Sequence, residues 1–198
     1  YADEGFTLVE TTPLGIQTTS RQSMAQARSA RGPMSSRNLS LRLAADATAD
    51  LDRLPDVCRD AIHATAVDFL NPPINNAGFR GITKTSDRMA GWSELDNPVA
   101  QLHRIGASME RGGTGGGFFR RLWGRFLDEA AEVTQVDAYA ESAQIYYDVA
   151  AQWTAVSDLL CGASEHNLKP VLAEASAIVE TLARRESSAM GSLERVSR

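Results

Sequence analysis

Arg111-Gly-Gly-Thr-Gly-Gly-Gly-Phe-Phe-Arg-Arg121 is the stretch on which the reading of this 198-residue chain turns. Five of the six residues from Gly112 to Gly117 are glycine. Inside a regular element each would cost about 0.5–1 kcal/mol relative to alanine, so the stretch reads as a loop. Phe119, Leu122, Trp123, Phe126, Leu127 and Ala130 follow at helical spacing. A side-chain-free loop thus delivers the chain to the start of an amphipathic helix, where backbone N–H groups are unpaired and the helix dipole favours negative charge. Two readings fit. One is a cradle for an anionic or carbonyl-bearing ligand, made by Gly113, Thr114, Gly115, Gly116 and Gly117 with the charges of Arg120 and Arg121. The other is a tight interhelical turn against which a neighbouring backbone packs closely.

Two nucleotide-binding motifs are excluded at this loop. It does not end in Gly-Lys-Ser/Thr, so the lysine and hydroxyl of a phosphate-binding P-loop are missing. Pro98 to Arg111 reads as helix, so no strand leads into the loop as the dinucleotide fold requires.

Composition narrows the class further. The hydrophobic share of 43% is ordinary for a globular domain, and the net charge of −5 argues against general nucleic-acid binding. No apolar run approaches the roughly 20 residues of a membrane span. Cys58 and Cys161 form no disulfide framework, which fits a reducing cytoplasm.

Before the glycine loop, Ala2-Asp3-Glu4-Gly5 reads as a hairpin turn and Phe6 to Thr11 as a strand. A hairpin needs a strand on both sides, so the expectation is a first strand upstream of Tyr1 and a chain that is a fragment or a processed product. Phe6, Leu8 and Glu10 share one strand face, and a carboxylate continuing an apolar face needs a partner or water. A polar loop and a short helix near Ser20 to Ala30 follow, capped by Thr19 or Ser20 and ended by Gly32-Pro33.

From Ala44 onward the chain reads as helices. One runs from Pro55 to about Leu70 and is stopped by Asn71-Pro72-Pro73. Asn75 to Gly81 is a second glycine- and asparagine-rich loop, before a helix over about Ile82 to Leu95. Asn97-Pro98 begins the helix that ends at the glycine loop. Asp137 caps another, with an apolar stripe from Tyr139 to Leu160, and a last helix spans about Leu168 to Arg185. The Ser/Arg tail beyond it shows no packing stripe and is expected to fray.

Chemical constellations are sparse. Five residues along a helix rotate by about 140°, so Cys58 and His63 face apart and suit neither a metal nor a nucleophile–base pair. Cys161 and His166 straddle a glycine, and both cysteines are expected to fill small buried positions. No metal site is read. His103 reads as a solvated or capped histidine. Arg121, Arg125 and Glu129 repeat every four residues, which is ordinary surface pairing.

The order of features carries a resemblance. Gly5-Phe6-Thr7-Leu8-Val9-Glu10, the Met24-Ala-Gln-Ala-Arg28 helix, Asn71-Pro72-Pro73 with Asn76-x-Gly78-x-x-Gly81-Ile82, Gly91-Trp92 and the Arg111 to Arg120 string together resemble the C-terminal portion of the butirosin biosynthesis protein H family, from Gly5 to about Leu160. The resemblance implies a papain-like cysteine-peptidase fold put to acyl transfer, followed by a helical domain. Residues 1–45 would be the C-terminal end of the papain-like half and 46–198 the helical domain. The fold class is then mainly α, or α+β if the missing half is included. The implied reaction moves an acyl or aminoacyl group from an acyl-carrier-protein thioester to a small amine, with no cofactor beyond the donor's phosphopantetheine. Glu10 stands where the family orients its histidine base, a place more often held by Asp. The nucleophile and histidine would precede Tyr1, which also implies an N-terminal fragment or partner chain. Gly113 to Gly117 with Arg120 would shape the acyl end of the pocket, and Arg111, Arg120, Arg121 and Arg125 would meet an acidic carrier protein. A non-catalytic helical binding or scaffolding subunit and a Cys/His amide hydrolase are the alternatives.

Overall fold

The computed structural model describes residues 6–9, 16–32, 50–111 and 115–198. The chain divides into two compact units, Tyr1–Asp50 and Leu51–Arg198. Among the described residues it is mainly helical, with seven α-helices and one short strand pair.

In the first unit, β1 (Phe6–Val9) pairs antiparallel with β2 (Ile16–Thr19), in a register that sets Phe6 opposite Thr19 and Val9 opposite Ile16. The partner of the first strand therefore lies downstream of it, in a segment read from the sequence as polar loop. Ile16-Gln17-Thr18-Thr19 carries three β-branched residues, which suit an extended backbone despite their polarity. The expected turn at residues 2–5 lies outside the described residues. Helix α1 (Arg21–Ser29) is capped by Ser20, whose Oγ accepts from the Ser23 N–H at 3.1 Å, and buries no residue.

The second unit is a helical bundle. Helix α2 (Leu54–Leu70) starts with Pro55 in its first turn, where the missing N–H costs nothing. It buries Cys58, Ile62 and Ala66 at four-residue spacing, whereas the apolar Val57 is exposed. Helix α3 (Gly78–Met89) begins within the second glycine-rich loop, earlier than Ile82, and gives way to a 3-10 turn over Ala90–Glu94. Helix α4 (Pro98–Arg111) follows Asn97, which holds a left-handed φ of 52°.

Helix α5 (Gly117–Thr134) and helix α6 (Asp137–Cys161) form a helical hairpin joined through Gln135, whose left-handed φ of 57° closes the first helix. Asp137 sits in the first turn of α6, with Val136 at the cap. The sequence stripe on α5 is half right: Leu127 and Ala130 are buried, but Phe119 and Leu122 are exposed. The packed line passes instead through Gly117 and Gly124, because α6 lies too close for side chains there. A Cβ on Gly124 would meet the Tyr147 ring at 2.9 Å.

Helix α7 (Leu168–Val196) extends well past the expected end at Arg185 and packs against α2, α3 and α6. The supposed fraying tail buries Glu186, Ala189, Met190 and Leu193. These continue the line of Val179 and Leu182 at three- and four-residue spacing, which the surrounding Ser and Arg residues conceal in the sequence. No described helix is long and apolar enough to cross a membrane.

Candidate functional site

The start of α5 is bonded back to the end of α4. Gly116 donates its N–H to the Met109 carbonyl at 3.0 Å. The Gly117 N–H, first in α5, donates to Glu110 Oε1 at 2.7 Å. A carboxylate thus already sits where a helix N-terminus favours an anion. Arg121 donates from Nη2 to Glu110 Oε2 at 3.2 Å and from Nη1 to Thr154 Oγ1 at 3.2 Å, tying the cap to α6.

The glycines here answer to space. A Cβ on Gly116 would lie 2.5 Å from the Met109 carbonyl oxygen, and one on Gly117 would collide with the Ala150 carbonyl. Gly115 has a φ of +106°, which a side chain would strain. Gly116 and Gly117 are therefore places of close backbone approach. The helix-start N–H at Gly117 is satisfied by Glu110.

Arg120 is likewise committed. Its Nε donates to both carboxylate oxygens of Glu186 at 3.3 Å, its Nη2 to Oε1 at 3.1 Å, and its Nη1 to the Gly115 carbonyl. The guanidinium lies over Trp153, 4.6 Å from the ring centroid, and the Trp153 Nε1–H donates to the same Glu186 Oε1 at 2.7 Å. Glu186 is only 2% exposed. A buried carboxylate costs several kcal/mol in desolvation unless charge and hydrogen bonds meet it, and here both do. Behind this cluster the Tyr146 hydroxyl is buried with no partner, and burial first, then the Glu186 charge, push its pKa well above the ordinary range. The Trp123 Nε1–H is buried and unpartnered as well.

Arg120 and Trp153 form part of the wall of a cavity of about 470 Å³, a size ordinary for small-molecule sites. The second glycine-rich loop and α3 supply Asn76, Gly78, Gly81, Ile82, Thr85 and Met89; Trp92 comes from the 3-10 turn. Helix α4 gives Ile105, Ser108 and Met109, and Gly115 completes the side next to Arg120. Gly78 and Gly81 answer to space like Gly116. Gly78 has a φ of +54° and its Cβ would strike the Phe69 carbonyl, while a Cβ on Gly81 would lie 2.6 Å from the Asn76 carbonyl.

Of the residues singled out in the sequence, Gly115 and Arg120 reach the cavity. Gly116 and Gly117 are buried in the turn, and Arg121 serves the Glu110 cap, so the regular spacing of Arg121, Arg125 and Glu129 does not describe its partners. Glu10, Gly113 and Thr114 lie outside the described residues, as do the turn at 2–5 and the side chain of Arg111. Cys58 is buried as expected, and Cys161 is exposed, contrary to expectation, with its thiol 3.8 Å from the His103 carbonyl. His103 Nε2 lies 2.8 Å from the Ala163 carbonyl, and His63 Nδ1 lies 3.3 Å from that of Glu194. Neither histidine is thus bonded to a thiol. Among the described residues no group of three or more His, Cys, Asp and Glu side chains could hold a metal ion.

Glu186, Trp153, Trp92 and Glu110 were not legible as site residues. Glu186 could have been found. It continues the Val179–Leu182 seam of α7, and a carboxylate on an apolar seam demands a cation.

A family model described as "Domain of unknown function (DUF4872)" matches residues 22–193, most of the chain, and the chain belongs to that family. No curated protein and no solved structure matches.

Proposed function

We propose that in this member of the DUF4872 family Leu51–Arg198 is the substrate-binding half of a cysteine-dependent acyltransferase or amide synthase of natural-product biosynthesis. One observation carries the reading. Asn76, Gly78, Gly81 and Ile82, Trp92, and Gly115 with Arg120 come from three separated segments that carry the resemblance, and they wall a single cavity. Segments that serve only local turns have no reason to meet at one void.

In this reading a thiolate supplied outside the described residues attacks a carrier-protein thioester, the carrier thiol leaves, and a small amine then displaces the enzyme thiol to give an amide. Glu10 would orient the histidine base of a papain-like half to which β1 belongs. The partners are an acyl carrier protein and a small amine, in the cytoplasm, with no cofactor of the protein's own and no nucleic acid. A second reading has its own observation in favour. No thiol–imidazole pair stands among the described residues, which suits a non-catalytic binding subunit.

The test is a product assay by mass spectrometry on the protein in its natural length, with a carrier-protein thioester, with and without an amine acceptor. Amide formation that falls at least tenfold when Thr85→Phe fills the cavity is the expected result. Free acid in place of amide would make the protein a hydrolase, and no turnover of the thioester would leave the binding subunit.

A further inference from the structure

The charge that the glycine loop advertises is already met within the fold. Arg120 faces the cavity, but Glu186 and the Gly115 carbonyl take up its guanidinium. Lys84 and Arg88 stand one turn apart on α3. They line a shallow hollow with Asn76, Gly81, Thr85 and Trp92, and those four residues also wall the main cavity, so the hollow is its rim. Lys84 Nζ donates to Asn76 Oδ1 at 2.5 Å, a neutral acceptor. Among the described residues neither Lys84 nor Arg88 makes an ion pair. Asp87 shares a different groove with Lys84 and is not paired with it. Two cations at i and i+4 repel each other, so an anion held between them is favoured.

We propose that this rim binds the anionic head of an amphipathic organic anion whose apolar body fills the cavity beside Trp92, Trp153, Ile82 and Ile105. The proposal rests on the cavity being a small-molecule site, and it adds the ligand's charge and orientation. A carboxylate or a phosphate on such a body supplies the anionic partner that Lys84 and Arg88 lack among the described residues, while Asn76 stays available to hold the lysine in place.

Isothermal titration with octyl phosphate, octanoate and octanol tests this at low salt. Both anions are expected to bind about tenfold more tightly than octanol, the scale of a charge-assisted hydrogen bond. The tighter of the two identifies the head group. The double variant Lys84→Gln/Arg88→Gln is expected to bring both anions to the affinity of octanol and to leave octanol unchanged. Equal binding of all three probes, or anion affinity that survives the double variant, would overturn the anionic rim while keeping the cavity as a site. Binding of none of them would overturn both.

Discussion

The starts of α5 and α3 both carry glycines against which backbone packs, and both contribute to the wall of one cavity, yet they treat charge in opposite ways. At the start of α5 the charges of Glu110, Arg120 and Arg121 are spent internally: Glu110 caps Gly117 and holds Arg121, and Glu186 holds Arg120. In α3 Gly78 and Gly81 again make room for backbone, but Lys84 and Arg88 remain without a carboxylate among the described residues. Glycine density thus marks close packing in both places. What distinguishes a structural turn from a ligand-facing one is whether the neighbouring charges already have partners.

Breaking the internal pairing should have the largest effect. Glu186→Ala strands Arg120 and the Trp153 N–H, and a loss of about 3–5 kcal/mol is expected from urea unfolding. The double change Arg120→Met/Glu186→Met should recover most of that loss, since it removes both charges and keeps the volume. A single variant within about 1 kcal/mol of the parent would mean that the pair is not desolvated.

The glycines come next. Gly116→Ala and Gly81→Ala should each cost about 1–3 kcal/mol, because the added carbon meets a backbone carbonyl that cannot move aside. Alanine normally stabilises a helix relative to glycine, so a gain in melting temperature at either position would contradict the close approach.

Glu110→Gln sharpens the comparison at smaller scale. Loss of the charged cap should cost about 1 kcal/mol, discounted because Arg121 is partly exposed. Lys84→Gln/Arg88→Gln should stay within about 0.5 kcal/mol, because Lys84 loses only an exposed bond to a neutral acceptor and Arg88 no ion pair.

Tyr146→Phe should change least at neutral pH, because the hydroxyl it removes has no partner. Its signature is alkaline. The folded tyrosine holds its proton above the ordinary value of 10.0, so the folded chain keeps a proton that the unfolded chain releases. Its stabilising contribution is complete below pH 10 and declines as the pH rises further. Melting temperatures between pH 8 and 11 should fall less steeply for Tyr146→Phe than for the parent.

The helical class and the positions of most helices were legible in the sequence, because Ile62, Tyr146, Val149 and Val179 repeat at helical spacing on faces that end up buried. The end of α7 was not. Glu186 and Ala189 continue its seam, but a carboxylate and a small residue carry little apolar signal, and Met190 stands alone among Ser, Gly and Arg. The packed face of α5 was misplaced for a related reason. Gly117 and Gly124 mark the closest approach by having no side chain at all, so a search for apolar residues settles on Phe119 and Leu122 instead. At the site, the glycine loop was visible, but the partners that decide its role, Glu110, Thr154 and Glu186, come from three other helices. No spacing rule brings residues 110, 120, 154 and 186 together; only the bundle does.

The most direct test of the central claim, that the two helix starts wall one ligand site, is the affinity of the parent and of Thr85→Phe for octyl phosphate, read by titration. Thr85 lines both the cavity and its rim. The account requires measurable binding to the parent and its loss, by at least tenfold, when the phenyl ring occupies the cavity. Equal affinity in the two proteins, with both folded, would contradict it.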